Sequence, residues 1–198
     1  MQMLILQEFV SNLFWRIPKN DELFLQEFKS NPLFNKSFKF IGKNTGVEVN
    51  NDITEKIKNS KEFIQSLRPT VSSFSFMVNK KDDIQNWKLS YTPGYFNICS
   101  DNPFIIKDEN AKDIFNTEFI LPLTKNHLLI RTFSNIEETS LKPLFGFIVN
   151  LAIFKQGELY CASANRDLLN TYSSSSKKDD IIKLKNYIFG YLENLSEK

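Results

Sequence analysis

The residue types best suited to chemistry lie in the middle of the chain. Ser100-Asp101-Asn102-Pro103 directly follows an apolar run that ends at Cys99. Pro103 confines Asn102 to extended backbone. Ser, Asp and Asn side chains bond to nearby main chain. Two readings follow: a rigid turn held by Asp101, or a carboxylate fixed at a strand end to meet a metal or a substrate. His127 is the only histidine, so it is the obvious group for proton transfer near neutral pH. The plain alternative is a strand-end histidine without a catalytic task. It shares a strand face with Leu129 and Arg131. Cys99 adjoins Ser100 and Asp101, but a nucleophilic cysteine needs a neighbour such as histidine to lower its pKa. His127 approaching across the sheet is the candidate neighbour; the favoured expectation is a buried, structural cysteine. A Glu-x-Lys pair, of the kind metal-dependent nucleases use, occurs at Glu27-Phe28-Lys29. It falls on an expected helix with no strand acid before it.

Much other chemistry lacks its residues. The chain has no glycine-rich phosphate loop, no dinucleotide fingerprint and no nucleophile elbow. Six glycines in 198 residues leave little to cradle a phosphate on main-chain amides. Two cysteines and one histidine do not make a structural zinc site, which takes about four such ligands. No metal site is expected, and no cofactor is indicated. The net charge is +2, and only four basic residues are arginine: Arg16, Arg68, Arg131 and Arg166. That balance does not support nucleic-acid binding. Abundant Phe, Lys, Asn and Ile fit an AT-rich genome. Gln7 and Glu8 interrupt the first apolar run and no basic region precedes it, so no signal peptide is expected. No run approaches the ~18 apolar residues of a membrane span. The expected setting is the cytoplasm, with both cysteines reduced.

The elements that must position these residues are readable from periodicity. Leu6, Phe9, Val10, Leu13, Phe14 and Ile17 recur at helical spacing, which predicts an inward face on a helix over 3–15 that Pro18 stops. A second short helix fits 21–29. Asp52 with Glu55 reads as a capping box, followed by one helix to about residue 67. Residues 71–79 fit either strand or helix. Beyond residue 87, short apolar runs separated by turn residues predict strands at Trp87–Thr92, Tyr95–Cys99, Phe104–Lys107, Thr117–Leu123 and His127–Phe133. Thr124-Lys125-Asn126 makes the last two a hairpin. A helix follows Pro143 and ends at Gly157. Glu158–Ala162 reads as a strand, Ser173–Ser176 as a flexible loop and 179–195 as a final helix. The layout predicts an α+β fold: one domain over 1–198, with a helical part over about 1–80. A central antiparallel sheet of five to six strands, about 87–162, is packed by N- and C-terminal helices.

Four segments carry a family resemblance. Phe-Asn-Ile-Cys-Ser-Asp-Asn-Pro-Phe at 96–104 is followed by Phe-Ile-Leu-Pro-Leu-Thr at 119–124. Val-Asn-Leu-Ala-Ile-Phe at 149–154 and Glu-Leu-Tyr-Cys-Ala-Ser at 158–163 come next. This order resembles the bacterial domain-of-unknown-function family 4238, with its S-D-N-P, P-L-S, I-N and V-Y-S elements. Leu-Phe-Trp-Arg-Ile-Pro at 13–18 is similar to the family's helix ending in R-T-P. The resemblance covers roughly residues 4–170. Family members carry an upstream H-x-x-P-x-x-L-x-x-F element that this chain lacks, and Cys99 stands where threonine is usual. The expectation is a trimmed relative, a domain completed by another chain, or a sequence that does not include the whole domain. The resemblance marks Arg16, Pro18, Ser100, Asp101, Asn102, Pro103, Pro122, Leu123 and Asn150, and implies a motif set rather than a reaction. Arg16, Asp101, Asn102 and Asn150 either converge on a pocket, or Asp101 pairs with Arg16 to hold the first helix.

The reading is a bacterial or phage binding module, with host–phage conflict as one setting. Nineteen phenylalanines exceed what one small core needs, which favours an apolar surface for a protein partner or a second copy. The alternative is a hydrolase or nuclease centred on Asp101, with His127 or Arg131 assisting.

Overall fold

The computed structural model describes residues 2–30, 39–60, 62–68, 70, 84–92, 97–111, 113–136, 141–175 and 180–196. The chain divides into two compact units, 1–80 and 81–198. Each is described by itself.

The first unit is helical. Helix α1 spans Gln2–Arg16, and a single 3-10 turn at Pro18–Asn20 leads into α2, Asp21–Ser30. Pro18 sits at the first position of that turn, where its missing N–H costs nothing. Val10, Phe14, Trp15, Ile17 and Phe24 are buried. Trp15 makes edge contacts with Phe14 and Phe24, at 5.0 and 5.7 Å between ring centres. Phe9, expected inward, is instead 52% exposed. The inward stripe runs through Gln7, Val10, Ser11 and Phe14, so Phe9 is turned off it.

Helix α3 covers Asn51–Lys58, and α4 covers 62–68. The cap of α3 is Asn50, not Asp52: the Asn50 side chain accepts from the Asp52 amide at 2.8 Å. Glu55 binds Lys58 rather than a cap amide. The single helix expected to residue 67 is broken at Asn59–Ser60. Asn59 turns its side-chain amide back onto the Glu55 carbonyl, and the Ser60 hydroxyl accepts from the Phe63 amide to open α4. Two residues that compete for helix main chain stand together there. The ambiguous segment 71–79 lies outside the described residues.

The second unit is α+β. A four-stranded antiparallel sheet runs β1 (Trp87–Tyr91), β5 (His127–Arg131), β4 (Phe119–Thr124), β3 (Ile105–Ile106) in spatial order. A separate two-stranded pair joins β2 (Cys99–Ser100) to β6 (Cys161–Ala162). This corrects the single sheet of five to six strands. Segments of two residues show no periodicity, and their pairing is fixed by distant contacts. Helices α5 (Pro143–Gln156), α6 (Arg166–Ser175) and α7 (Ile181–Ser196) complete the unit. Ser173–Ser175, expected in a loop, instead continue α6, and Ser176 lies outside the described residues. Helix α5 is apolar nearly all round, as befits a helix buried at the centre. It shares a core with Ile105, Ile120, Leu128 and Ile130 from the sheet, Tyr172 from α6, and Ile188 and Leu192 from α7.

Candidate functional site

Asp101 follows β2, and its carboxylate is occupied by main chain. Oδ1 accepts from the amides of Glu158 and Tyr160 at 3.1 and 3.3 Å. Oδ2 accepts from Glu158 and Leu159 at 3.3 and 3.2 Å. Three successive amides of the α5–β6 turn thus wrap one anion. Burial pushes the Asp101 carboxyl up, but the Tyr160, Leu159 and Glu158 amides outweigh it and hold it below its ordinary value. The turn Asp101 fixes is therefore not its own but one 57–59 residues on.

The rest of the strip is tied to the same helix. The Ser100 hydroxyl accepts from the Asn102 amide at 3.2 Å. Gln156, at the end of α5, donates to the carbonyls of Asn102 and Phe104 at 2.7 and 2.8 Å. Asn150 is fully buried; it accepts from the Ile98 amide at 3.1 Å and donates to the Tyr172 hydroxyl at 3.1 Å. Gly157 lies so close to β2 and β6 that a Cβ there would stand 3.1 Å from the Ser100 Cβ and 3.0 Å from the Cys161 sulfur. The marked residues Ser100, Asp101, Asn102 and Asn150 are thus brought together as a joint between the 97–104 strip and α5.

Arg131 and His127 belong to the four-stranded sheet. Arg131 is buried. It donates to the carbonyls of Thr117 and, at 2.6 Å, of Phe115. Its guanidinium lies 4.9 Å from the Phe133 ring centre. His127 opens β5, with Nδ1 2.8 Å from the Thr124 hydroxyl and its ring 5.4 Å from that of Tyr91. Arg16 ends α1 in the first unit. The Glu27-Phe28-Lys29 segment falls within α2, and its side chains lie outside the described residues.

Sequence reasoning missed a charged cluster at the β3–β4 side of the sheet. Glu118 is buried and bonded to Lys107, the Thr132 hydroxyl (2.6 Å) and the Phe133 amide (3.0 Å). Lys107 also reaches Glu193 on α7 at 2.7 Å. Burial pushes Glu118 up, but Lys107, Thr132 and the Phe133 amide hold it below its ordinary value. Burial pulls Lys107 down, but Glu118 and Glu193 raise it above its ordinary value. Three loops and a helix contribute, so no local pattern announces it.

A cleft of about 280 Å³ opens beside this joint. Its walls include Asn97 and Cys99 on one side, Pro122 and Thr124 at the end of β4 with Lys125 of the following turn, and Ser163 after β6. The turn is laced to the strip: the Asn97 amide donates to Lys125 O at 2.7 Å, and its side chain to Thr124 O at 3.0 Å. Pro122 stands where β4 has outrun the two-residue β3, and the β4–β5 register shifts between Pro122 and Thr124. Cys99 is exposed rather than buried. In β2 it is Ser100 that faces inward, and strand alternation turns Cys99 out. Cys161 is half-buried, and burial, with Asp101 and Cys99 nearby, pushes its thiol up to about 11. Among the described residues, no group of three His, Cys, Asp or Glu is placed to hold a metal ion. No described helix is long and apolar enough to cross a membrane.

No family model, no curated protein and no solved structure matches this chain.

Proposed function

We propose that this chain is a binding module that engages a protein partner through the cleft-bearing end of its second unit. The observation that carries the reading is the α5–β6 turn. Its three amides are held from beneath by Asp101, while Leu159 and Tyr160 stand 79% and 59% exposed. Large apolar side chains on a locked turn lose little freedom on binding, which is how anchor residues gain affinity. Tyr160 runs directly into β6, whose Ala162 forms part of the cleft wall. At about 280 Å³ the cleft is at the small end of ligand pockets, suited to one anchor side chain of a partner rather than a large cofactor. The hydrolase alternative would require Asp101 to leave the amides it binds. Kinship with family 4238 belongs to the proposal too. Its support is that the S-D-N-P strip, the P-L element, the Asn150 helix and the Cys161–Ala162 strand adjoin one another.

The test is cross-linking from the cleft. A photo-reactive group attached to the Cys99 thiol of the full chain is expected to join a partner. Leu159→Ser with Tyr160→Ser should abolish that product while leaving the Tm within a degree or two. An undiminished product would sink the reading. So would a hydrolytic activity that Asp101→Asn removes without lowering the Tm.

A further inference from the structure

Helix α1 carries an exposed stripe on the first unit, independent of the cleft. Ile5 and Phe9 are 62% and 52% exposed, and Glu8 and Arg16 are exposed beside them. Together with Asn12 and Leu13 they line a shallow groove of about 350 Å³. At 100° per residue these six positions fall within an arc of about 140°. The spacing 5, 8, 9, 12, 13, 16 is that of a helix face made for another helix. The remaining face of α1, through Val10, Phe14 and Trp15, is already buried.

We infer that this stripe docks against α1 of a second copy, antiparallel, with the twofold axis at Asn12. The charge pattern selects that occupant and that orientation. Glu8 and Arg16 sit four residues either side of Asn12. An antiparallel pair crossing there sets Glu8 against Arg16 of the partner subunit, and Arg16 against Glu8 of the partner subunit. A parallel pair would oppose like charges at both places. The same crossing brings Arg16 of the partner subunit beside the exposed Phe9 ring, where a guanidinium adds a cation–π contact. A polar Asn at the centre of an apolar seam disfavours slipped registers. A 15-residue helix is about 22 Å long and supplies only part of the ~800 Å² per side of a standard interface. The dimer is accordingly weak and concentration-dependent.

Sedimentation equilibrium of the full chain over a wide concentration range tests this, with circular dichroism as the folding control. Wild type is expected to show a reversible monomer–dimer equilibrium that weakens with salt. Glu8→Arg and Arg16→Glu should each weaken it about tenfold. The double variant should return to within about twofold of wild type, because the swap restores both pairs. Phe9→Asp should leave a monomer. A chain that is monomeric at every concentration overturns the proposal. So does a dimer that ignores the single swaps, which would use another surface, and so does a double swap without rescue. The cleft reading is untouched by any of these outcomes, since its variants lie in the other unit.

Discussion

The Asp101 carboxylate meets three main-chain amides at 3.1–3.3 Å, so its charge already has an occupation. Removing it leaves those amides without their acceptor. Asp101→Ala is expected to lower stability by about 1–2 kcal/mol, read as a fall in Tm of several degrees. A silent variant would mean the amides find water instead. The two thiols are a second contrast at this scale. Cys99 is exposed, whereas Cys161 is half-buried with its thiol pushed up to about 11. A thiol reagent at pH 8 should therefore modify one cysteine per chain quickly and the other much more slowly. Cys99→Ser should remove the fast phase. Equal rates would contradict the placement. An internal disulfide is not expected, because Cys99 pairs with Ala162 and Ser100 with Cys161, which sets the two sulfurs on opposite faces.

Among the elements, those with sequence-local signals were legible; strands were expected around β2 and β6 too, but their two-residue lengths and their pairing apart from the main sheet were not legible. Pro18, Pro143 and Gly157 mark real ends, and Thr124–Asn126 does join β4 to β5. These signals act over one to four residues. By contrast, β2 and β6 are two residues each, with no period to read, and 60 residues of chain separate Ser100 from its partner Cys161. Of the candidate site, Asp101 was singled out for its strand-end position. Its partners were hidden, because nothing at residue 101 encodes the geometry of a turn at 158–160. The close approach at Gly157 makes the joint testable. Ala at 157 gains about 0.4–1 kcal/mol by restricting the unfolded chain. It loses about 1–3 kcal/mol by crowding the Ser100 Cβ and the Tyr160 carbonyl oxygen, neither of which can turn aside as the Cys161 sulfur can. The loss wins, so Gly157→Ala should lower the Tm. Gly190→Ala is the control: a Cβ there meets nothing within 4 Å in α7, and the Tm should rise.

For the whole molecule, the charged network predicts the shape of stability against pH. Glu118 has a folded pKa below its unfolded value of 4.5, so its contribution is complete above that value and is lost as pH falls through the lower one. Lys107 is raised above 10.5, so its contribution is complete below that value and is lost as pH rises through the higher one. A plateau between about pH 5 and pH 10 follows. Glu118→Gln should cost about 1.5–3 kcal/mol on the plateau and flatten the acid limb, measured by urea unfolding at several pH values. An unchanged acid limb would assign it to other carboxylates. Closure of the 97–104 strip onto α5 carries a kinetic consequence as well. The β4–β5 hairpin closes over two residues, whereas the Asp101 joint closes a loop of more than fifty, so it must form after the hairpin and α5 exist to receive it. What forms last without a deep core of its own opens first. The amides of Glu158, Leu159 and Tyr160 should then exchange with solvent deuterium as a group, faster than those of α5, and faster still in Asp101→Ala. Three adjacent amides thus form a clock for the opening of the surface where a partner is expected to sit.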